Sequence, residues 1–77
     1  MRKSIYSEKH RAIVRNLRRA RLKAGLTQAQ VAKKLRRPQS FVARMESGQR
    51  RIDAVELSWV ADLYGCKLAD LLSDSSE

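Results

Sequence analysis

Three polar side chains near the middle of the chain have the types and spacing needed to recognise nucleic-acid bases. Gln39, Ser40 and Arg44 fall on one side of a predicted helix over residues 39–47, and apolar residues fall on the other side. A Gln amide pairs bidentately with adenine and an Arg guanidinium with guanine, while a small residue allows close approach. The pattern therefore favours a helix that reads base edges in a major groove. An ordinary solvated polar face is the alternative.

The rest of the chain must position this helix, and its pattern predicts an all-α fold of five short helices. Capping boxes, in which an N-cap side chain precedes Glu or Gln by three residues, open helices at Thr27 and Asp53. Gly25, Gly48 and Gly65 each follow a helical pattern, where a left-handed C-terminal cap is common. The expected spans are residues 7–24, 27–35, 39–47, 53–64 and 68–72, followed by a tail at 73–77 that we expect to fray.

One hydrophobic core is sufficient for a chain of 77 residues. A domain of this size buries only about 60% of the surface of its unfolded chain. We therefore expect a single domain over residues 1–77, ordered from about 7 to 72. The apolar stripes of the helices, with residues three and four apart, should form its core. The expected inward residues are Ile13, Leu17, Ala20 and Ala24; Ala29, Val31, Ala32 and Leu35; Phe41, Val42 and Met45; and Leu57, Val60, Ala61 and Tyr64.

The charge of the chain is unevenly divided. The total is +9, but residues 1–51 hold 16 of the 17 basic side chains and two of the eight acidic ones, a balance of +14. Residues 52–77 carry −5. A chain divided in this way is expected to have one surface that faces a polyanion and another with a separate task. A generally solvated basic face is the alternative.

Composition argues against several classes of protein. No run approaches the roughly 18 apolar residues of a transmembrane helix, so we expect no membrane partner. One Cys and one His cannot form a metal cluster or a disulfide, so we expect no metal and no cofactor. The lone Cys66 fits a reducing cytosol, and His10 is expected on the solvated surface. An enzyme is disfavoured, because no carboxylate pair or activated nucleophile can be assembled.

The order of residues around the predicted third helix resembles a known family. The stretch LTQAQVAKKLRRPQSFVARMESGQRR, residues 26–51, is similar to the XRE-type helix-turn-helix family, the DNA-binding domains of the phage lambda repressor and Cro type. The later GCKLADLL, residues 65–72, resembles the closing segment of that family. The resemblance covers about residues 11–72 and implies a lambda-repressor-like domain in which the second and third helices form the helix-turn-helix.

The resemblance also implies roles for individual residues. Gln39, Ser40 and Arg44 match the positions that read bases. Arg21 and Glu46 match a structural ion pair that joins the first helix to the third; a repulsive specificity role for Glu46 is the alternative. The positions that match phosphate contacts are Gln28, at the start of the second helix, and the loop residues Gly48, Gln49, Arg50 and Arg51.

The turn before the third helix departs from the family pattern. Arg36, Arg37 and Pro38 stand where the family has Gly, an apolar residue and then Ser or Thr. The missing hydroxyl cap is expected to cost about 1 kcal/mol unless another group caps the helix. The two arginines are placed beside the groove, and we expect at least one of them to contact phosphate. Phe41 is expected in the core, with contact to a thymine methyl or a sugar as the alternative.

The predicted fourth helix has a second apolar stripe, formed by Val55, Trp59 and Leu63. A surface helix of so small a monomer does not need two apolar faces. We expect a homodimer interface here, with Trp59 as its anchor. The alternative is that the fifth helix folds back and covers the stripe.

These observations together predict a sequence-specific, double-stranded DNA-binding transcriptional regulator. We expect a repressor that binds a palindromic operator as a homodimer, in the cytoplasm of a bacterial or phage context, with no small-molecule ligand. The first alternative is an antitoxin-like or accessory protein, which binds a partner protein through its C-terminal helices and autoregulates its operon. The second is a non-specific coating protein, which the Gln and Arg of the third helix argue against.

Overall fold

Five α-helices make up the part of the chain that the structure, a computed structural model, describes, residues 7–73. In chain order they are α1 (Glu8–Lys23), α2 (Gln28–Leu35), α3 (Gln39–Ser47), α4 (Ala54–Tyr64) and α5 (Leu68–Leu72). No strand occurs between residues 7 and 73. The predicted all-α, five-helix fold is therefore confirmed. The expected start of the domain at residues 1–6 and the fraying of residues 74–77 lie outside the described residues.

Side-chain caps explain why three of the helices begin where they do. The Ser7 hydroxyl accepts a hydrogen bond from the backbone N–H of His10 at 3.1 Å and so opens α1. The Thr27 hydroxyl accepts from the backbone N–H of Gln30, whose side chain accepts from the backbone N–H of Thr27 in return. Asp53 and Glu56 form the same reciprocal pair of hydrogen bonds at the start of α4. Each cap satisfies N–H groups that have no partner inside their helix.

The core lies where the inward stripes of the helices meet. α2 packs against α3, and α1 packs against α5, α3 and α4. Two expected core residues are wrong: Ala24 and Ala29 are exposed, whereas Ala12 is buried. Ala24 is the C-cap of α1, beyond the last residue to which the helical wheel applies, and Ala29 lies about 200° around α2 from Val31. The fully buried side chains of the core are Leu17, Val31, Val42, Met45, Val60 and Leu71.

The turn between α2 and α3 has a non-glycine residue in the left-handed conformation. Arg36 has φ +59, the only positive φ of a non-glycine residue among those described. Its N–H donates to the Lys33 carbonyl at 3.2 Å, and the N–H of Arg37 donates to the Ala32 carbonyl at 2.9 Å. This pair of bonds is a Schellman motif, which normally has glycine at the left-handed position. Pro38 is the N-cap of α3 and supplies no side-chain hydrogen bond, as expected from its place where the family has a hydroxyl residue.

Candidate nucleic-acid interface

The outer side of α3 is a polar surface held in place by its apolar inner side. Val42 and Met45 are fully buried against the core, which fixes the rotation of the helix about its axis. Gln39, Ser40 and Arg44 are all exposed on the opposite side. Gln39 and Arg44 are five residues apart, about 7.5 Å along the helix axis, which corresponds to about two base-pair steps of 3.4 Å. The structure therefore brings the three predicted base-reading residues onto one surface.

Arg21 and Glu46 form a buried ion pair that anchors α3 to α1. The guanidinium meets the carboxylate with both ends, with Arg21 Nε 2.6 Å from Oε2 and Nη2 3.0 Å from Oε1. Their side chains are only 9% and 4% exposed. Arg21 Nη1 also donates to the Leu26 carbonyl at 2.8 Å. The hydrogen bonds that Arg21 donates to Glu46 raise the pKa of Arg21; the attraction of the carboxylate adds to this effect, and burial opposes it.

Gln28 extends this pair to the N-terminus of α2. Its amide Nε2 donates to Glu46 Oε1 at 3.1 Å, so one carboxylate accepts from both Arg21 and Gln28. The network therefore joins α1, the first turn of α2 and the end of α3. It holds the Gln28 side chain at a helix N-terminus, which attracts anions through its free N–H groups and its dipole.

The two arginines of the α3–α4 loop, Arg50 and Arg51, differ in their contacts and exposure. Arg50 makes a double hydrogen bond to the Glu56 carboxylate, at 2.9 and 3.2 Å, and its guanidinium carbon lies 4.6 Å from the centre of the Phe41 ring. Arg51 is exposed, as is Gln49, whose N–H donates to the Arg44 carbonyl. The family resemblance implies phosphate contacts for both arginines, but it does not indicate that Glu56 competes for Arg50.

The two arginines of the α2–α3 turn also differ. Arg36 is exposed at the left-handed position of the turn. The guanidinium carbon of Arg37 lies 5.5 Å from the centre of the Phe41 ring and 5.4 Å from that of Trp59. At an exposed site each such cation–π contact is worth about 0.5–1 kcal/mol. Arg37 therefore links the start of α3 to Trp59 on α4. Phe41 is half-buried against the core, and the guanidinium groups of Arg37 and Arg50 lie beside its ring.

Comparison with known proteins agrees with this geometry. A helix-turn-helix domain family matches residues 12–73, which is most of the chain. The chain belongs to this helix-turn-helix family. No curated protein and no solved structure matches it. Helix-turn-helix domains bind DNA, with the second helix of the motif in the major groove, and here α2 and α3 are the two helices of the motif.

The outer face of α4 remains largely uncovered in this helix-turn-helix domain. Val55 is 58% exposed and Trp59 is 39% exposed, whereas Leu63 is half-buried against the core. α5 packs on α1 and α4 and inserts Leu71 into the core. The alternative in which α5 covers the second stripe is therefore wrong for Val55 and Trp59.

Several contacts of the helix-turn-helix domain join residues that are far apart in the sequence. His10, expected on the solvated surface, is half-buried with Nε2 3.3 Å from the Gly48 carbonyl oxygen. The amide of Asn16 donates to the carbonyls of Leu71 and Ser73, at 2.9 and 2.8 Å, and so satisfies the end of α5. These partners are 38 to 57 residues apart, and no local pattern signals them. Cys66 is half-buried, and burial raises the pKa of its thiol.

Within residues 7–73, no three His, Cys, Asp or Glu side chains are grouped so that they could hold a metal ion. No helix in that range is both long enough and apolar enough to cross a membrane.

Proposed function

We propose that this protein is a sequence-specific transcriptional regulator of the XRE type, a repressor that places α3 in the major groove of double-stranded DNA. The observation that supports this most directly is the exposed set Gln39, Ser40 and Arg44 on a helix whose other side is fixed by buried residues. Neither the Gln39 amide nor the Arg44 guanidinium has an intramolecular partner among residues 7–73, so both are available to base edges. Such a regulator acts in the cytoplasm.

The phosphate contacts in this proposal lie on both sides of α3. Gln28 and the arginines of the α2–α3 turn flank its start, and Gln49, Arg50 and Arg51 follow its end. Phosphate contacts position a protein on the duplex, and base contacts specify the sequence. Arg50 joins this set when its guanidinium leaves Glu56 for a phosphate.

The proposal includes a homodimer formed through Val55, Trp59 and Leu63. Two of these side chains are exposed apolar groups next to each other on α4, and Trp is enriched at binding hot spots. A two-fold dimer would present two copies of α3 to half-sites about 34–36 Å apart on one face of B-DNA. Its operator is then palindromic, and occupying a promoter is sufficient for repression.

Selection of binding sites from random DNA at physiological salt tests this function. We expect a palindromic consensus. Arg44→Ala should then lose roughly 1–3 kcal/mol on that site and relax the preference at one base pair. Arg51→Ala is the matched control: it should weaken all sequences alike. The absence of a consensus for the unaltered protein would contradict the proposal and support a coating protein.

The antitoxin-like alternative rests on the same exposed α4 residues, because Val55 and Trp59 could equally pack on a different chain. Sedimentation equilibrium of the purified protein and of Trp59→Asp separates the two functions. A dimer that the substitution converts to monomers with poor operator affinity supports the repressor. A monomer in both cases supports a partner of another kind.

A further inference from the structure

Three arginines form a stripe on the outer side of α1. Arg11, Arg15 and Arg18 lie within an arc of about 60° around the helix axis, together with Leu22. All of them are exposed, and Leu22 is 55% exposed. The opposite side of α1 carries the buried Leu17, so the stripe points away from the core.

Within residues 7–73, no ion pair neutralises this stripe. Arg11, Arg15 and Arg18 make no ion pair with any of residues 7–73, in contrast to Arg21 and Arg50, each of which is held by a glutamate. Like charges three or four residues apart on a helix destabilise it by a few tenths of a kcal/mol per pair. A row of unpaired arginines is therefore unfavourable in the isolated protein and becomes favourable against a polyanion.

The stripe is continuous with the loop that follows α3. Arg11 and Arg15 line an open groove whose other wall is formed by Ser47, Gly48 and Gln49. Val14 lies between the two arginines in sequence, and its side chain packs near Gly48. A Cβ placed on Gly48 would be 3.8 Å from this side chain. The arginines of α1 thus begin where the proposed phosphate-binding loop ends.

We propose that Arg11, Arg15 and Arg18 form a second phosphate-binding surface, which contacts the backbone of the same duplex just outside the half-site read by α3. The inference rests on the proposed function and extends its footprint. The first and last of these residues are about 10.5 Å apart along α1, close to three base-pair steps of 3.4 Å. The stripe therefore has the length to follow one strand past the α3–α4 loop.

The test measures affinity by fluorescence anisotropy as a function of salt, on two duplexes that contain the selected operator. One duplex ends at the outer edge of the half-sites, and the other carries ten further base pairs on each side. On the long duplex, Arg15→Gln should reduce the slope of log affinity against log salt by about 0.9, and Arg11→Gln with Arg15→Gln by about 1.8. When one phosphate contact is removed, the fall in affinity between 50 and 200 mM salt becomes about 3.5-fold smaller.

Lys23→Gln is the matched control, because it removes one exposed positive charge from α1 outside the arc. We expect it to leave the slope unchanged, and we expect Arg15→Gln to have no effect on the short duplex. Helix content by circular dichroism verifies that each variant is folded. Base preference at the position read by Arg44 should be the same in all of them.

Three outcomes would overturn the inference. Equal slopes for Arg15→Gln and the unaltered protein on the long duplex would remove the contact. Equal reductions of the salt slope in Arg15→Gln and Lys23→Gln would show that the effect comes from net charge and not from a contact at Arg15. If Arg15→Gln instead abolished only the capture of a labelled second duplex on an immobilised one, the stripe would bind another DNA molecule. In all three cases operator recognition through Arg44 is still observed. If the unaltered protein showed no preference for any operator, the proposed function itself would be refuted.

Discussion

Replacing Arg36 by glycine should make the domain more stable and weaken its DNA binding at the same time. Arg36 has φ +59, a conformation that costs an L-residue roughly 1–2 kcal/mol and costs glycine nothing in steric terms. Glycine loses about 0.5–1 kcal/mol more backbone entropy on folding, so the net gain should be about 0.5–1 kcal/mol. For a domain of 60–100 residues this raises Tm by about 2–8 °C. Thermal unfolding followed by circular dichroism measures the gain.

The loss of the Arg36 guanidinium has the opposite effect on function. Where Arg36 contacts a phosphate, Arg36→Gly lowers the slope of log affinity against log salt by about 0.9 on every sequence. Arg36→Ala is the matched control, because alanine loses the cation but keeps the cost of the positive φ. It should show the same loss of slope without the gain in Tm.

Gly25 provides the reverse experiment for the backbone argument. Its φ is +76, and a Cβ there would meet nothing within 4 Å, so Gly25→Ala isolates the conformational cost. We expect Gly25→Ala to lower Tm while Arg36→Gly raises it. A Tm for Arg36→Gly at or below that of the unaltered protein would refute the reasoning about φ, and unaltered DNA binding by Arg36→Ala would refute the phosphate contact.

Three further predictions concern charged and polar groups inside the domain. Glu46→Ala leaves Arg21 buried without its carboxylate and should lower the free energy of unfolding by about 3–5 kcal/mol in urea titrations; a loss below 1 kcal/mol would show that the pair is solvated. Glu56→Gln keeps an acceptor for the helix cap but removes the ion pair that competes with phosphate for Arg50, so DNA affinity should rise on every sequence by roughly 0.2–1 kcal/mol, the usual worth of a surface pair; an unchanged affinity would mean that Arg50 does not leave Glu56 for DNA. Burial raises the pKa of Tyr64, which favours its neutral form in the folded state, so stability should fall as the pH rises above about 10, where the unfolded tyrosine ionises. Tyr64→Phe should remove that fall and also add up to about 1 kcal/mol at neutral pH, because the buried hydroxyl has no hydrogen-bond partner among the described residues; the same alkaline fall in both proteins would contradict this.

The helix boundaries could be predicted because their causes are local. The capping boxes at Thr27 and Asp53 and the positive-φ glycines act within a few residues, and the structure has the expected bonds at those positions. The rotation of α3 followed from its apolar period, because Val42 and Met45 have only one side on which they can be buried. The prediction that Ala29 faces the core was wrong, because a single alanine has too little apolar surface to indicate which side of a helix is buried.

The competing partners of the interface residues could not be predicted in the same way. The pairing of Arg50 with Glu56 depends on how the α3–α4 loop turns back on α4, and the contact of His10 with Gly48 depends on how α1 crosses the end of α3. The departure of the α2–α3 turn from the family pattern was visible in the sequence. The sequence did not show, however, that Arg36 would be the residue with the positive φ, because that follows from the Schellman hydrogen bonds around it.

The position of Arg37 over both Phe41 and Trp59 gives the protein an optical reporter of its own. Trp59 is the only tryptophan in the chain, so all tryptophan emission comes from a ring that has this guanidinium 5.4 Å from its centre. A phosphate that draws Arg37 away from the start of α3 changes the surroundings of that ring, and so does a second chain that buries it. DNA docking and self-association can therefore be followed in the unlabelled protein, as two emission changes with different dependences on protein and DNA concentration.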